Sequence, residues 1–296
     1  MIPEVKQWTK TGEFICPGEF RLEENDFGQK ILPCLERLQK FCTGQGPLPL
    51  KLREVPGKVG AYSLSIQPGG VCVEADESGI FPALSTLQNL LVQGAIPAGE
   101  ILDYARFSHR GYMQDDARHF QGADAACEAL EILFRFKMNV FHWHISDDQG
   151  FRLDLPGYER LSRHASHRNS SNKGGYTRNQ PDNVPYSALY TREEVEKVLR
   201  CARERGIRVI PEMDMPGHFS AILSAYPEFS CTGEAIEVPG RYGVLPNVLC
   251  LGNPEARHFA RQLALDVANY LEADSIHIGF DEIKPEQLCR CPKCKA

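Results

Sequence analysis

Apolar and polar positions alternate through Ala61–Ala75, as AYSLSI and then VCVEA, which is the period of strands with one buried face. Pro68, Gly69 and Gly70 interrupt the alternation, so the spacing predicts a β-hairpin. The period becomes helical in Ile80–Leu91. It is helical also in Gln29–Phe41, where Ile31, Leu32, Leu35 and Leu38 fall on one stripe. Strands and helices in separate runs predict a small α+β domain over residues 1–100.

From about residue 106 the two periods take turns. Strands are predicted at His109–Met113, Asn139–Ile145, Gly206–Met213 and Ser275–Gly279, with helices at Ala123–Phe136, Arg192–Arg205 and Pro254–Glu272 between them. Strict alternation predicts a parallel sheet covered by helices over residues 101–296. Each strand ends in acid: Asp115, Asp147, Asp214 and Asp281. A β/α barrel and a doubly wound open sheet both gather functional groups at the carboxyl ends of their strands, so position alone does not separate them.

Composition narrows the function classes. The 296 residues are 42% hydrophobic and 24% charged, with a net charge of −6, which gives no support for a nucleic-acid partner. No apolar run approaches the roughly 18 residues of a membrane-spanning helix. The opening MIPEVKQWTKTGEF contains no apolar signal-peptide core, so a cytoplasmic location is expected. Eleven cysteines, most within apolar or helical patterns as at Cys127 and Cys201, read as reduced thiols in such a compartment.

Adjacent carboxylates after a buried strand, as at Asp281 and Glu282, are costly unless solvated or used. Capping of a following helix is the plainer reading of that pair. The other strand ends weigh against it: His142-Trp143-His144 leads into Asp147-Asp148-Gln149, and Asp214 is followed by Pro216-Gly217-His218. His144 by itself reads as a satisfied core or loop histidine. The spacing lacks the ligand set of a catalytic zinc site.

Four segments, RGYMQDDARHF (Arg110–Phe120), NVFHWHISDDQGF (Asn139–Phe151), IPEMDMPGH (Ile210–His218) and HIGFDE (His277–Glu282), resemble glycoside hydrolase family 20, the β-N-acetylhexosaminidases. Ala61–Leu91 resembles the small α+β domain that precedes the barrel in that family. The resemblance implies the first half of a (β/α)8 TIM barrel, carrying β1 to β4 of the barrel, after a small α+β domain. It implies hydrolysis of terminal, non-reducing β-linked N-acetylglucosamine or N-acetylgalactosamine in oligosaccharides or glycoconjugates, with retention and no cofactor. Asp281 would orient the acetamido group, whose carbonyl oxygen is the nucleophile, and Glu282 would be the general acid, kept protonated by crowding from Asp281 and Asp147. Arg110 would bind sugar hydroxyls, Asp147 and His218 would tune the acid, and Asp214 would line the pocket. Asp115 and His119 would be structural.

Two departures accompany the resemblance. Gly279-Phe280 stands where the family commonly has Gly-Gly, and a phenylalanine there could fill space beneath the pocket or alter the strand end. Only four of the barrel's units are present, which leaves open a sugar-binding or assembly role and invites self-association or a complementary chain. The run Cys289-Arg290-Cys291-Pro292-Lys293-Cys294 reads as free thiols or, alternatively, as half of a zinc site completed by Cys231 or a residue elsewhere.

Overall fold

The computed structural model of the chain describes residues 3–175 and 177–295. These residues form an α/β structure of two compact units. The first is built on a six-stranded sheet of order β1-β6-β4-β5-β3-β2. Its strands are β1 (Gln7–Ile15), β2 (Glu19–Asn25), β3 (Pro47–Glu54), β4 (Tyr62–Gln67), β5 (Gly70–Ala75) and β6 (Ile96–Asp103). The predicted hairpin is β4–β5, antiparallel from Tyr62 beside Ala75 to Gln67 beside Gly70. Helix α1 spans Leu32–Gln39 and α2 spans Ile80–Leu91.

Helix α2 is buried on nearly all sides, so its polar side chains need partners within the protein. Ser85 donates to Phe134 O at 2.7 Å, Gln88 to Glu131 at 2.6 Å and Asn89 to Arg135 O at 2.9 Å. Glu131 also pairs with Arg37 at 2.6 Å and Arg205 at 2.9 Å. The first unit therefore takes in Glu128–Val140 and Arg200–Arg208 as well as the chain up to Tyr112. The expected division at residue 100 falls inside β6, a strand paired on both edges to β1 and β4.

Strands β1, β2, β3 and β6 carry no usable signal in the sequence. Most of β1 is exposed on both faces, which erases the alternation. Strand β3 contains Pro47 and Pro49, which argue against an inner strand, yet it lies between β2 and β5.

The second unit is built on a sheet of order β12-β8-β7, from β7 (Gly111–Asp115), β8 (Val140–Asp147) and β12 (Arg208–Met213). Its helices include the first part of α3 (Gly122–Arg135), α4 (Arg192–Arg203) up to Leu199, α5 (Ser220–Ala225) and α6 (Pro254–Tyr270), while the rest of α3 and the end of α4 belong to the first unit. Short strand β9 (Gly150–Phe151) folds back on the end of β8, and β10 (His167–Arg168) pairs with β11 (Tyr186–Ser187). The predicted strand Ser275–Gly279 is reduced to a single parallel bridge between Glu212 and His277. His277 exchanges hydrogen bonds with Pro211 O and Met213 N, but Gly279 and Phe280 then turn to φ of +62° and +72°, which ends extended backbone.

Cys127 and Cys201 are disulfide-bonded, contrary to the expectation of free thiols. The physical reason is tertiary: Cys127 Sγ stands 3.9 Å from Lys197 O of α4, a contact that sequence spacing does not encode. The other nine cysteines are free.

One buried carboxylate ties this sheet to its helices. Asp116 accepts from Trp143 Nε1 at 2.6 Å, Tyr190 Oη at 2.7 Å and the Gln121 amide at 3.0 Å. Asp116→Ala would leave these donors dry and unpaired. It is expected to lower unfolding free energy by about 3–5 kcal/mol, read by urea denaturation, with a smaller loss for Asp116→Asn.

Candidate active site

The ends of β8 and β12 build the centre of the site. The β8–β9 turn pairs Asp147 with Gly150, so the chain reverses just after Asp147 and buries both Asp147 and Asp148. The turn rests on the buried Arg152, whose guanidinium donates to the carbonyls of Ala117, Gln149, Ser166 and Ala188. Asp214 follows directly on β12, and His218 comes after the turn, with a left-handed φ of +51°.

His218 stands among four carboxylates. Its Nδ1 is 3.3 Å from Asp147 and 3.2 Å from Asp148, and its Nε2 is 3.3 Å from Glu282 and 3.7 Å from Asp281. Neither ring nitrogen is aligned for a regular hydrogen bond, so these are ion-pair contacts. The Asp147 and Asp148 carboxylates raise the imidazole to about 11, against the opposing effect of burial. Burial would raise Asp147, but His144, His218 and Arg118 outweigh it and hold the carboxyl at about 2.

Asp281 and Glu282 come to this centre from a segment with only one bridge to the sheet. The amide of Phe280 donates to Asp214 Oδ1 at 3.1 Å. A Cβ at Gly279 would lie 1.9 Å from that same oxygen, so glycine is required there. Phe280 itself is 62% exposed and fills no space beneath the site; of the two expected effects, the one at the strand end is what the backbone displays. Its φ of +72° is one that a second glycine would adopt without strain.

His218, not open space, lies between Asp147 and Glu282. The carboxyl pair that forms is Asp214 with Asp281. Burial and then the Asp281 carboxylate raise Asp214 to about 7, so this pair holds a proton near neutral pH. His144 is buried and satisfied as expected, between Glu212 and Asp147, and those carboxylates raise it to about 9 against burial.

Arg110 is not brought to these residues. It precedes β7, at the end of the strand opposite Asp115, and its guanidinium is spent on the carbonyls of Phe107, Ser108 and Lys137. The arginine at the carboxyl end of β7 is Arg118, which the sequence reading passed over. It contacts Asp147 at 2.6 Å, Asp115 at 2.8 Å and His144 Nε2 at 3.2 Å, with its side chain 29% exposed. The signal that could have found it is its place within DDARHF, just after the acidic strand end. Asp115 positions Arg118 by accepting from both its amide and its guanidinium, and His119 stacks on Tyr186.

The raised Asp214 carboxyl gives a measurable pH dependence. The folded protein keeps this proton up to about 7, whereas an unfolded aspartate releases it near 3.9. The resulting stabilisation is complete below about pH 4 and is lost as pH rises through 7. Asp214→Asn removes that titration. The stability difference between the variant and wild type is therefore expected to move in the variant's favour from about pH 4 to pH 7, read as melting temperature. A difference independent of pH would contradict the shared proton.

Residues 107–296 match the sequence profile of glycosyl hydrolase family 20, catalytic domain. Over 251 residues the chain is 34% identical to a beta-hexosaminidase of Akkermansia muciniphila, covering 82% of this chain and 49% of that protein. A beta-hexosaminidase of Porphyromonas gingivalis is 32% identical over 253 residues, covering 81% of this chain and 31% of its own length. The chain thus spans half or less of the length of these relatives. Among solved structures, a beta-N-acetylhexosaminidase aligns with a TM-score of 0.72 at 32% identity, over 84% of this chain and 53% of that one. A GH20 exo beta-N-acetylglucosaminidase from Vibrio harveyi, in complex with N-acetylglucosamine, aligns with a TM-score of 0.80 at 25% identity, over 100% of this chain and 48% of that one. The order and geometry of the acidic strand ends, together with these similarities, place the chain in glycosyl hydrolase family 20.

Proposed function

We propose that the chain supplies the acid-catalytic half of a retaining hydrolase for terminal β-linked N-acetylhexosamine, acting on amino-sugar oligosaccharides or glycoconjugates. The observation that carries this reading is the placement of adjacent Asp281 and Glu282 against the buried Asp147–His218 pair, with Glu282 3.3 Å from the ring. Strands β7, β8 and β12, with the bridged segment at His277, would be the opening strands of an eight-stranded barrel, and the first unit the small α+β domain before it.

Glu282 would give a proton to the leaving oxygen as the acetamido carbonyl oxygen attacks C1 from within the substrate. The bond to the leaving group breaks and a cyclic oxazolinium ion forms. Asp281 would accept from the acetamido N–H and stabilise that positive charge, while Asp214 holds the carboxyl pair's proton. Glu282, now a carboxylate, would take a proton from the incoming water, and the ring opens with net retention. His218, held as a cation by Asp147 and Asp148, would keep Glu282 in place electrostatically. Arg118, rather than Arg110, would present its fork to sugar hydroxyls.

Hydrolysis of an aryl N-acetyl-β-glucosaminide is compared with that of the matching aryl β-glucoside, using the active protein. The acetamido substrate is expected to be cleaved at least about 100-fold faster, since an intramolecular nucleophile is lost in the glucoside. Equal rates, or inversion at C1 by NMR, would rule out substrate assistance.

A further inference from the structure

Four cysteines from three separate stretches of chain converge in the second unit. Cys231 follows the short turn Pro227–Phe229, and Cys250 precedes α6. Cys291 precedes and Cys294 lies within the C-terminal helix α8 (Pro292–Lys295), which follows α7 (Pro285–Cys289). Cys231 Sγ is 3.7 Å from Cys294 Sγ, and Cys250 Sγ is 3.7 Å from both Cys291 Sγ and Cys294 Sγ. All four sulfurs lie within 4.8 Å of one another. Cys289, the remaining thiol of the C-terminal run, is exposed and lies outside the cluster, while Cys250 was not part of the sequence reading.

We propose that Cys231, Cys250, Cys291 and Cys294 form a structural zinc site. A tetrahedron of sulfurs bonded to zinc at about 2.3 Å has edges of about 3.8 Å, close to the 3.7 Å of these three approaches. It is far longer than the roughly 2.05 Å of a disulfide bond. An all-thiolate tetrahedral set suits zinc over the harder divalent cations. Binding converts four thiols to thiolates: zinc(II) gains four sulfur ligands, four protons leave to solvent, and the centre carries two negative charges. Backbone donation suits that charge, since the Gly252 amide points at Cys294 Sγ at 3.3 Å. Gly252 is also where these two segments touch, because a Cβ there would lie 1.9 Å from Lys293 O. The site would pin the segment that follows Glu282 to the loops at Cys231 and Cys250. It is independent of the proposed hydrolase reading.

The chain is purified without added metal or chelator, and its metals and mass are measured. The expected result is about one zinc per chain, undiminished in Cys289→Ser and lost in the double variant Cys291→Ser/Cys294→Ser. Because the double variant could misfold, wild type is also exchanged with cobalt(II). Intense thiolate-to-cobalt charge-transfer absorption and the visible bands of a tetrahedral ion are expected, as is a sulfur-only shell at about 2.3 Å in X-ray absorption of the zinc form. Any of three outcomes would overturn the proposal: no zinc with a mass showing further disulfides, iron in place of zinc, or a zinc shell containing nitrogen or oxygen.

Discussion

Replacing Glu282 by Gln is expected to lower kcat by about 10²–10⁴-fold for substrates with poor leaving groups, the usual contribution of a positioned general acid. The substitution keeps the side chain's shape and its place 3.3 Å from the His218 ring, but removes the transferable proton. An aryl leaving group that departs readily as an anion needs less protonation, so its first step should suffer less. The discriminating measurement is therefore the ratio of losses between an alkyl or sugar leaving group and an activated aryl one. Equal losses for both would assign Glu282 another role. His218→Asn should follow the same pattern more weakly, because the histidine touches the acid and not the leaving group.

The second large effect separates two arginines. Arg118→Ala is expected to lower kcat/KM by about 10–100-fold or more, while Arg110→Ala leaves it within a few-fold of wild type. A hydrogen-bonded charged group contributes on the order of 1.5–3 kcal/mol, and Arg118 also neutralises the buried Asp147 carboxylate. Loss of Arg118 should therefore destabilise the fold too, and Arg118→Lys, which keeps the charge without the fork, tests whether binding or folding dominates. Arg110 donates only to main-chain carbonyls, so its removal should appear in melting temperature rather than in turnover. A collapse of activity in a folded Arg110→Ala protein would return the sugar contact to that residue.

Much of the architecture around the site was legible because burial imposes periods on a chain. Helices α2, α3, α4 and α6 and strands β8 and β12 fall within a few residues of their predicted bounds, since each has one or more buried faces. The first sheet was half hidden. Strand β1 is wet on both faces and β3 is punctuated by prolines, so neither displays a period. The segment at Ser275–Gly279 has a strand's composition but makes only one bridge, because it leaves the sheet at Gly279 to deliver the acidic pair.

The sequence by itself determined the acids at the strand ends and the order in which they occur. Those depend on local patterning and on residue types that buried strands do not tolerate unless they are used. It also identified the residues of the centre, Asp147, Asp214, His218, Asp281 and Glu282, through a resemblance in short contiguous motifs. Only the tertiary structure decided which groups meet. It placed His218 between Asp147 and Glu282, made a pair of Asp214 and Asp281, and set Arg118 against Asp147. It put Cys127 and Cys201 in disulfide linkage and gathered Cys231 and Cys250 with Cys291 and Cys294. The physical reason is one of range: periodicity and motif spacing report what neighbours along the chain do. Protonation, ion pairing and sulfur clustering depend on distances of a few ångströms between residues tens of positions apart.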